Sequence, residues 1–117
     1  MSLQIYGIPN CSTCKKALQW LDSKGAEYEF INTKENPPTE TMIAEWVKTL
    51  GIKSMRNTSG LAYRALGEER NTWTENEWVR ALGHNAMLLK RPLFVRDGVA
   101  VLVGFRANEQ VKEEKLL

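Results

Sequence analysis

The chain has 117 residues, with 16 basic and 14 acidic side chains, one histidine and a net charge of +2. That length suffices for one domain around one core, and 43% hydrophobic with 26% charged residues is ordinary for a globular chain. So balanced a charge argues against a nucleic-acid or membrane partner. The longest apolar run, residues 99–105, is too short to span a bilayer. No basic start followed by a long apolar run marks a secretory leader, so a cytoplasmic location is expected.

Residues 3–6 read as a short strand, which Gly7 and Pro9 break. From residue 12 to 24 the pattern is helical, with Ala17, Leu18 and Leu21 on one face, Trp20 beside it and Gly25 as the stop. Residues 28–31 read as a second strand, completing a β-α-β unit that favours parallel strands and a right-handed crossover. Asn36-Pro37-Pro38 is a loop, and Thr39 caps a helix that runs to Leu50 and closes at Gly51. Met42, Ile43, Trp46, Val47 and Leu50 form its core stripe. Residues 53–60 are polar and turn-like, and residues 61–66 suit a short helix. Thr74 and Glu77 make a capping box for a helix over 75–82 that Gly83 should end. A phrase Trp-Val-basic-x-Leu-Gly occurs at both 46–51 and 78–83. It is too short to mark a repeat architecture, which also needs more than two units, and reads as shared helix grammar. Residues 93–95 and 99–103 are strands around Asp97-Gly98, the strongest short hairpin signal. Residues 108–117, charged with a few apolar positions, fit a terminal helix whose end is free to fray.

Cys11 and Cys14 are the only cysteines, and they stand where the first strand gives way to the first helix. A thiol at a helix N-terminus faces unpaired N–H groups and the positive end of the helix dipole. Both favour the thiolate, which is the reactive species. A free cysteine with a pKa of about 8.5 is only ~3% thiolate at pH 7. Lowering the pKa by about two units would make it mostly thiolate, at about 2.7 kcal/mol of differential interaction. Lys15 and Lys16 are close by, but lysines in a first turn oppose the dipole and read as a solvated face. In a cytosolic chain, C-x-x-C beside a strand–helix junction reads as redox or metal. Structural zinc takes four ligands, usually Cys and His. Here the pair is joined only by the distant His84, which suits a helix C-terminal cap, so no metal is expected.

Arg56, Arg91 and Arg106 stand at turns or strand ends rather than inside charge runs. A guanidinium fork suits a tetrahedral oxyanion or a carboxylate. Three converging on a thiolate would hold an anion and depress the cysteine pKa. Each also fits an ordinary surface arginine, because convergence is not visible in a sequence. The order β-α-β, helical stretch, β-β-α is a thioredoxin-like layout: an α/β fold with a four-stranded mixed sheet. Ligands of open α/β sheets sit beyond the carboxyl ends of parallel strands, where Cys11 follows the first strand. In that layout Pro92 is expected to carry a cis bond beside the cysteine, although the general X–Pro rate is about 5–6%.

Four phrases occur in order: Tyr-Gly-x-Pro-Asn-Cys11-x-x-Cys14-Lys-Lys-Ala, Met55-Arg56-Asn-Thr, Leu88-Leu-Lys-Arg91-Pro92-Leu and Gly104-Phe105-Arg106. The set resembles the ArsC-like family, which includes glutaredoxin-coupled arsenate reductases, YffB-like proteins and the regulator Spx. The resemblance runs nearly the whole chain and is far more specific than a lone C-x-x-C. It implies one thioredoxin-like domain over residues 1–117 with a helical insertion at about 37–88. It also implies Cys11 as nucleophile, Arg56, Arg91 and Arg106 as oxyanion-binding residues, and Asn10 and Pro92 as structural residues at the site. Glutathione would be the co-substrate, glutaredoxin a partner, and no cofactor would be bound.

Cys14 departs from the arsenate reductases, which need no second cysteine there. It matches Spx-type proteins, where the pair is a redox switch, but that branch lacks an arginine matching Arg106. The phrases Arg56-Asn-Thr-Ser-Gly-x-x-Tyr63 and Gly-Phe-Arg106 look closer to the YffB-like branch. The leading expectation is a glutathione-linked thiol reductase of arsenate-reductase type, with glutathione or Cys14 resolving the adduct. A Cys11–Cys14 disulfide would need a modest adjustment, since Cβ atoms three apart on a helix lie about 5–6 Å apart and a disulfide wants about 3.5–4.5 Å. The alternatives are a protein that docks on RNA polymerase through a Cys11/Cys14 switch, and a thioredoxin-like domain with spectator cysteines.

Overall fold

The computed structural model describes residues 2–117. Strand β1 (Leu3–Gly7) leads through helix α1 (Ser12–Ser23) to β2 (Glu29–Asn32). Four helices follow: α2 (Glu40–Leu50), α3 (Ile52–Met55), α4 (Leu61–Ala65) and α5 (Glu75–His84). The chain closes with β3 (Leu93–Arg96), β4 (Val99–Val103) and α6 (Glu109–Leu116). The strands lie in the order β2-β1-β3-β4. β1 pairs parallel to β2, while β1–β3 and β3–β4 pair antiparallel. This is the thioredoxin-like α/β fold with a four-stranded mixed sheet. No helix among the described residues is long and apolar enough to cross a membrane.

Alternation along the strands makes the sheet two-sided. Leu3, Ile5 and Phe94 pack with Ala17 and Leu21 of α1 and Leu116 of α6. Tyr6, Leu93 and Val95 point the other way, against Ile43, Trp46 and Leu82 of α2 and α5. Each fully buried Leu, Ile or Phe contributes about 1.5–3 kcal/mol relative to exposure, so both helical layers are held by the strands' residue order. The Asp97-Gly98 hairpin forms as expected. Both residues adopt positive φ, 50° and 84°, as the two-residue turn that matches strand twist requires. Beyond the turn the β3–β4 register shifts between Phe94 and Val95.

Three local expectations are corrected. Gly83 does not end α5, which continues to His84 with Asn85 in the cap position. The glycine serves the crossing with α2 instead, since a Cβ there would lie 2.5 Å from Glu40 Cγ. His84 is therefore a basic residue of the last turn, not the cap. The polar stretch after Gly51 holds the short helix α3, anchored by the fully buried Met55. The end of α6 is pinned rather than frayed. Leu116 is 1% exposed, Arg96 Nη2 donates to the Leu117 carbonyl at 2.8 Å, and Trp20 Nε1 donates to Glu109 at 3.0 Å.

Leu116→Ala should therefore cost about 2–5 kcal/mol in urea unfolding. A loss under about 0.5 kcal/mol, ordinary for a surface position, would show that α6 is not part of the core.

Candidate active site

Cys11 is the N-cap residue of α1, with an extended backbone (φ −92°, ψ 119°). Its Sγ accepts a hydrogen bond from the Cys14 N–H at 3.4 Å. The first turn of α1 carries no acidic residue that would compete for its positive end. Cys11 is half-buried, and Cys14 is buried to 1% exposure. Burial works against the Cys11 thiolate. Hydrogen bonds from the Cys14 backbone, the Cys14 thiol and the Thr13 backbone, together with the Arg91 charge, outweigh it and lower the Cys11 pKa. Cys14 goes the other way. Burial pushes it up to about 12, and its bond to the Cys11 sulfur and that sulfur's charge act in the same direction. The two thiols are thus differentiated, one toward thiolate and one toward a permanent donor.

Gly7 permits this arrangement. A Cβ on Gly7 would lie 2.6 Å from Cys14 Sγ and 3.3 Å from Phe30 Cε1. What reads in the sequence as a strand breaker is still within β1, paired with Asn32, and its missing side chain is the seat of Cys14.

Arg56 and Arg91 come from two segments stitched together. Asn57 N–H donates to the Leu88 carbonyl and Lys90 N–H to the Met55 carbonyl, each at 2.8 Å, around a bridge between Arg56 and Leu89. The Arg91–Pro92 peptide is cis, as expected. Arg91 Nη1 donates to the Leu89 carbonyl at 3.4 Å, and the Arg56 guanidinium lies over Trp78, 4.7 Å from the ring centre. The Pro92 carbonyl accepts from Gly104 N–H at 2.7 Å, which holds the turn that presents Arg106.

Cys11, Arg56, Arg91 and Arg106 line one pocket of about 700 Å³, with Lys90, Thr13, Asn57, Thr58, Ser59 and Phe105 among its other walls. Four lining side chains are cationic and none is acidic. Among the described residues, none of the three arginines is ion-paired with a carboxylate. The Nε atoms of Arg56 and Arg91 are buried without a hydrogen-bond partner.

The remaining expected site residues fall outside the pocket lining. Asn10 is exposed, and Pro92 is buried and acts through its carbonyl. Lys15 and Lys16 are exposed and absent from the groups acting on Cys11, where Arg91 supplies the charge. Lys90 and the Thr58-Ser59 turn join the pocket through their place in the chain, Lys90 beside Arg91 and the turn just after Arg56-Asn57. A second groove of about 500 Å³ at the β2 edge, with Tyr6, Ile31 and Met42 in its walls, contains neither cysteine nor arginine. Among the described residues, no group of three or more His, Cys, Asp or Glu could hold a metal ion.

Only the thiolate is alkylated, so the lowered Cys11 pKa should place the midpoint of its alkylation rate against pH below the free value of about 8.5. Cys14→Ala removes a donor and Arg91→Gln a charge, so each should move the midpoint upward. Labelling rates followed by mass spectrometry will check this. An unperturbed wild-type midpoint would contradict the assignment.

The ArsC family profile matches residues 6–113. An uncharacterized protein of Bacillus subtilis strain 168, YusI, is 40% identical over 113 residues, covering 93% of this chain and 95% of that one. Among solved structures, a possible arsenate reductase from Streptococcus mutans UA159 superposes with a TM-score of 0.85 at 36% identity, covering 95% of this chain and 97% of that one. An arsenate reductase (ArsC) related protein from Brucella melitensis superposes at 0.74 with 34% identity, over 100% of this chain and 97% of that one. The motifs, the fold and these matches agree: the chain belongs to the ArsC family.

Proposed function

We propose that the protein is a thiol oxidoreductase in which the Cys11 thiolate attacks an anionic substrate held by Arg56, Arg91 and Arg106. The observation that carries this is their coincidence in one pocket: a thiol poised toward thiolate, three arginines without carboxylate partners, and no acidic wall. A guanidinium fork suits a tetrahedral oxyanion, and a bound anion would offset the mutual repulsion of the cations that line this pocket.

The step is written most simply for a glutathione mixed disulfide. The Cys11 thiolate bonds to the glutathione sulfur as the S–S bond breaks, and the other sulfur leaves as a thiolate that takes a proton from solvent. A second glutathione thiolate attacks the Cys11 adduct, which releases glutathione disulfide and restores Cys11. With arsenate, Cys11 would displace an arsenic-bound oxygen that leaves as water. Two electrons would then come from thiols that end as a disulfide, with glutaredoxin as the redox partner. The likeness to a possible arsenate reductase supports that substrate class. The phrases around Arg56 and Arg106 support a place in the YffB-like branch, and a reducing cytosol suits the free thiols.

Cys14 supports an external resolving thiol. With a pKa of about 12 it is almost never a thiolate at pH 7, and it is seated against the Gly7 backbone. Its role is to donate to the Cys11 sulfur. A Cys11/Cys14 switch that docks RNA polymerase would have to draw Cys14 from that seat, and this burial weighs against it.

Cys11→Ala should abolish glutathione-dependent disulfide reduction, whereas Cys14→Ala should keep the activity at a reduced rate. Equal turnover in Cys11→Ala and wild type would overturn the mechanism. Hydrogen bonds to charged groups are worth about 1.5–3 kcal/mol, so Arg91→Gln should raise KM for an anionic substrate at least about tenfold. Steady-state kinetics with an anionic and a neutral disulfide will check this, the neutral one being little affected.

A further inference from the structure

The column of rings beneath Arg56 has no part in the chemistry described so far. Trp78 of α5 is 2% exposed, with the Arg56 guanidinium 4.7 Å above its ring. On Trp78, Tyr63 of α4 stacks at 6.0 Å and 12° between planes, and Trp73 packs edge-on at 4.9 Å. The Arg70 guanidinium covers Tyr63 at 4.2 Å, and Arg70 Nη1 donates to the Gly67 carbonyl at 2.6 Å. The two Trp-Val-basic-x-Leu-Gly phrases therefore diverge. Trp46 packs on Tyr6 of the sheet, 4.7 Å between ring centres, and Trp78 carries an arginine of the pocket.

The chemistry of the contact matters. A carboxylate partner would hold Arg56 but would occupy its N–H donors and offset its charge. An aromatic face holds the guanidinium through its plane and leaves the donors at its edge available. Arg56 has no carboxylate partner and its Nε has no acceptor, so the ring is the side-chain contact that locates it. We propose that Trp78 is a positioning residue for anion recognition: it orients Arg56 toward the Cys11 pocket by ring stacking, and Tyr63 and Arg70 pack with it in the same cluster. The helical stretch between β2 and β3 thereby supplies a cation to a site whose nucleophile belongs to the β1–α1 junction. This rests on the proposal above that the pocket binds anions.

The test uses inorganic sulfate, an unreactive tetrahedral dianion, titrated into labelled protein and followed by amide NMR shifts at Thr13 and Asn57. Wild type should bind, and Arg56→Gln should bind more weakly. Trp78→Leu should weaken binding by about two- to thirtyfold, the span of a cation–π contact from exposed to desolvated. Trp78→Phe should restore most of it, because a ring face remains. The Cys11 pKa should change little in either Trp78 variant, since the hydrogen bonds from Cys14 and Thr13 and the Arg91 charge that lower it do not involve Trp78. A collapsed site would move that pKa. If Trp78→Leu does not fold, Trp78→Phe and the half-buried Tyr63→Leu decide, with near-wild-type and intermediate affinity expected. Weak binding in Arg56→Gln with wild-type binding in Trp78→Leu, or in Tyr63→Leu where the former does not fold, overturns the positioning role and leaves the anion site standing. No sulfate binding by wild type overturns both.

Discussion

The hydrogen bond from the Cys14 N–H to the Cys11 sulfur, 3.4 Å long, ties the fold to the chemistry. A helix begins with N–H groups that have no intrahelical acceptor, and here one of them is met by sulfur rather than by a hydroxyl or carboxylate oxygen. The exchange is poor for capping, because sulfur is a weak acceptor when neutral. It is favourable once the sulfur is charged. The start of α1 thus stabilises the form of Cys11 that can react. Gly7 leaves room beside β1 for the Cys14 side chain that follows this cap.

The pocket gathers like charges, which repel one another. Two unit charges about 4 Å apart interact by about 1 kcal/mol in bulk water and more where water is excluded. A chain with a net charge of only +2 places four cations around one cavity without an acidic wall. Arg96, by contrast, holds the end of α6 through the Leu117 carbonyl, and Lys24 pairs with Glu109 at 3.1 Å. Arg96 and Lys24 brace the frame, while in the pocket Arg56 lies over the Trp78 ring and Arg91 donates to the Leu89 carbonyl. On the proposed function, the Cys11 thiolate or a bound anion would balance the pocket's cations.

The parts legible in the sequence are those set by neighbours along the chain. The capping box of Thr74 and Glu77, the Thr39 cap, the Asp97-Gly98 turn and the strands around residues 3–6 and 93–95 are local, and they appear where expected. Cys11 at the helix start is equally local. Convergence of Arg56, Arg91 and Arg106 is not, because it depends on the Met55–Asn57 and Leu88–Lys90 segments meeting and on the Gly104 turn bonding to Pro92. Only the ordered motifs pointed there. The roles of Gly7 and Gly83 are hidden in the sequence for the same reason. Their meaning lies in a distant side chain, Cys14 or Glu40, and a glycine carries no mark that separates a packing role from a stop signal. The end of α6 depends likewise on Arg96, far back in the chain.

The most direct measurement compares alkylation of Cys11 by iodoacetate, an anion, and by iodoacetamide, its neutral counterpart. The ratio of the two rates cancels the thiolate fraction and reports the field around the sulfur. A cationic pocket built on Arg56, Arg91 and Arg106 predicts a ratio above that of free cysteine at low ionic strength, falling as salt is added. A ratio equal to or below that of free cysteine, insensitive to salt, would contradict an anion-binding thiolate site.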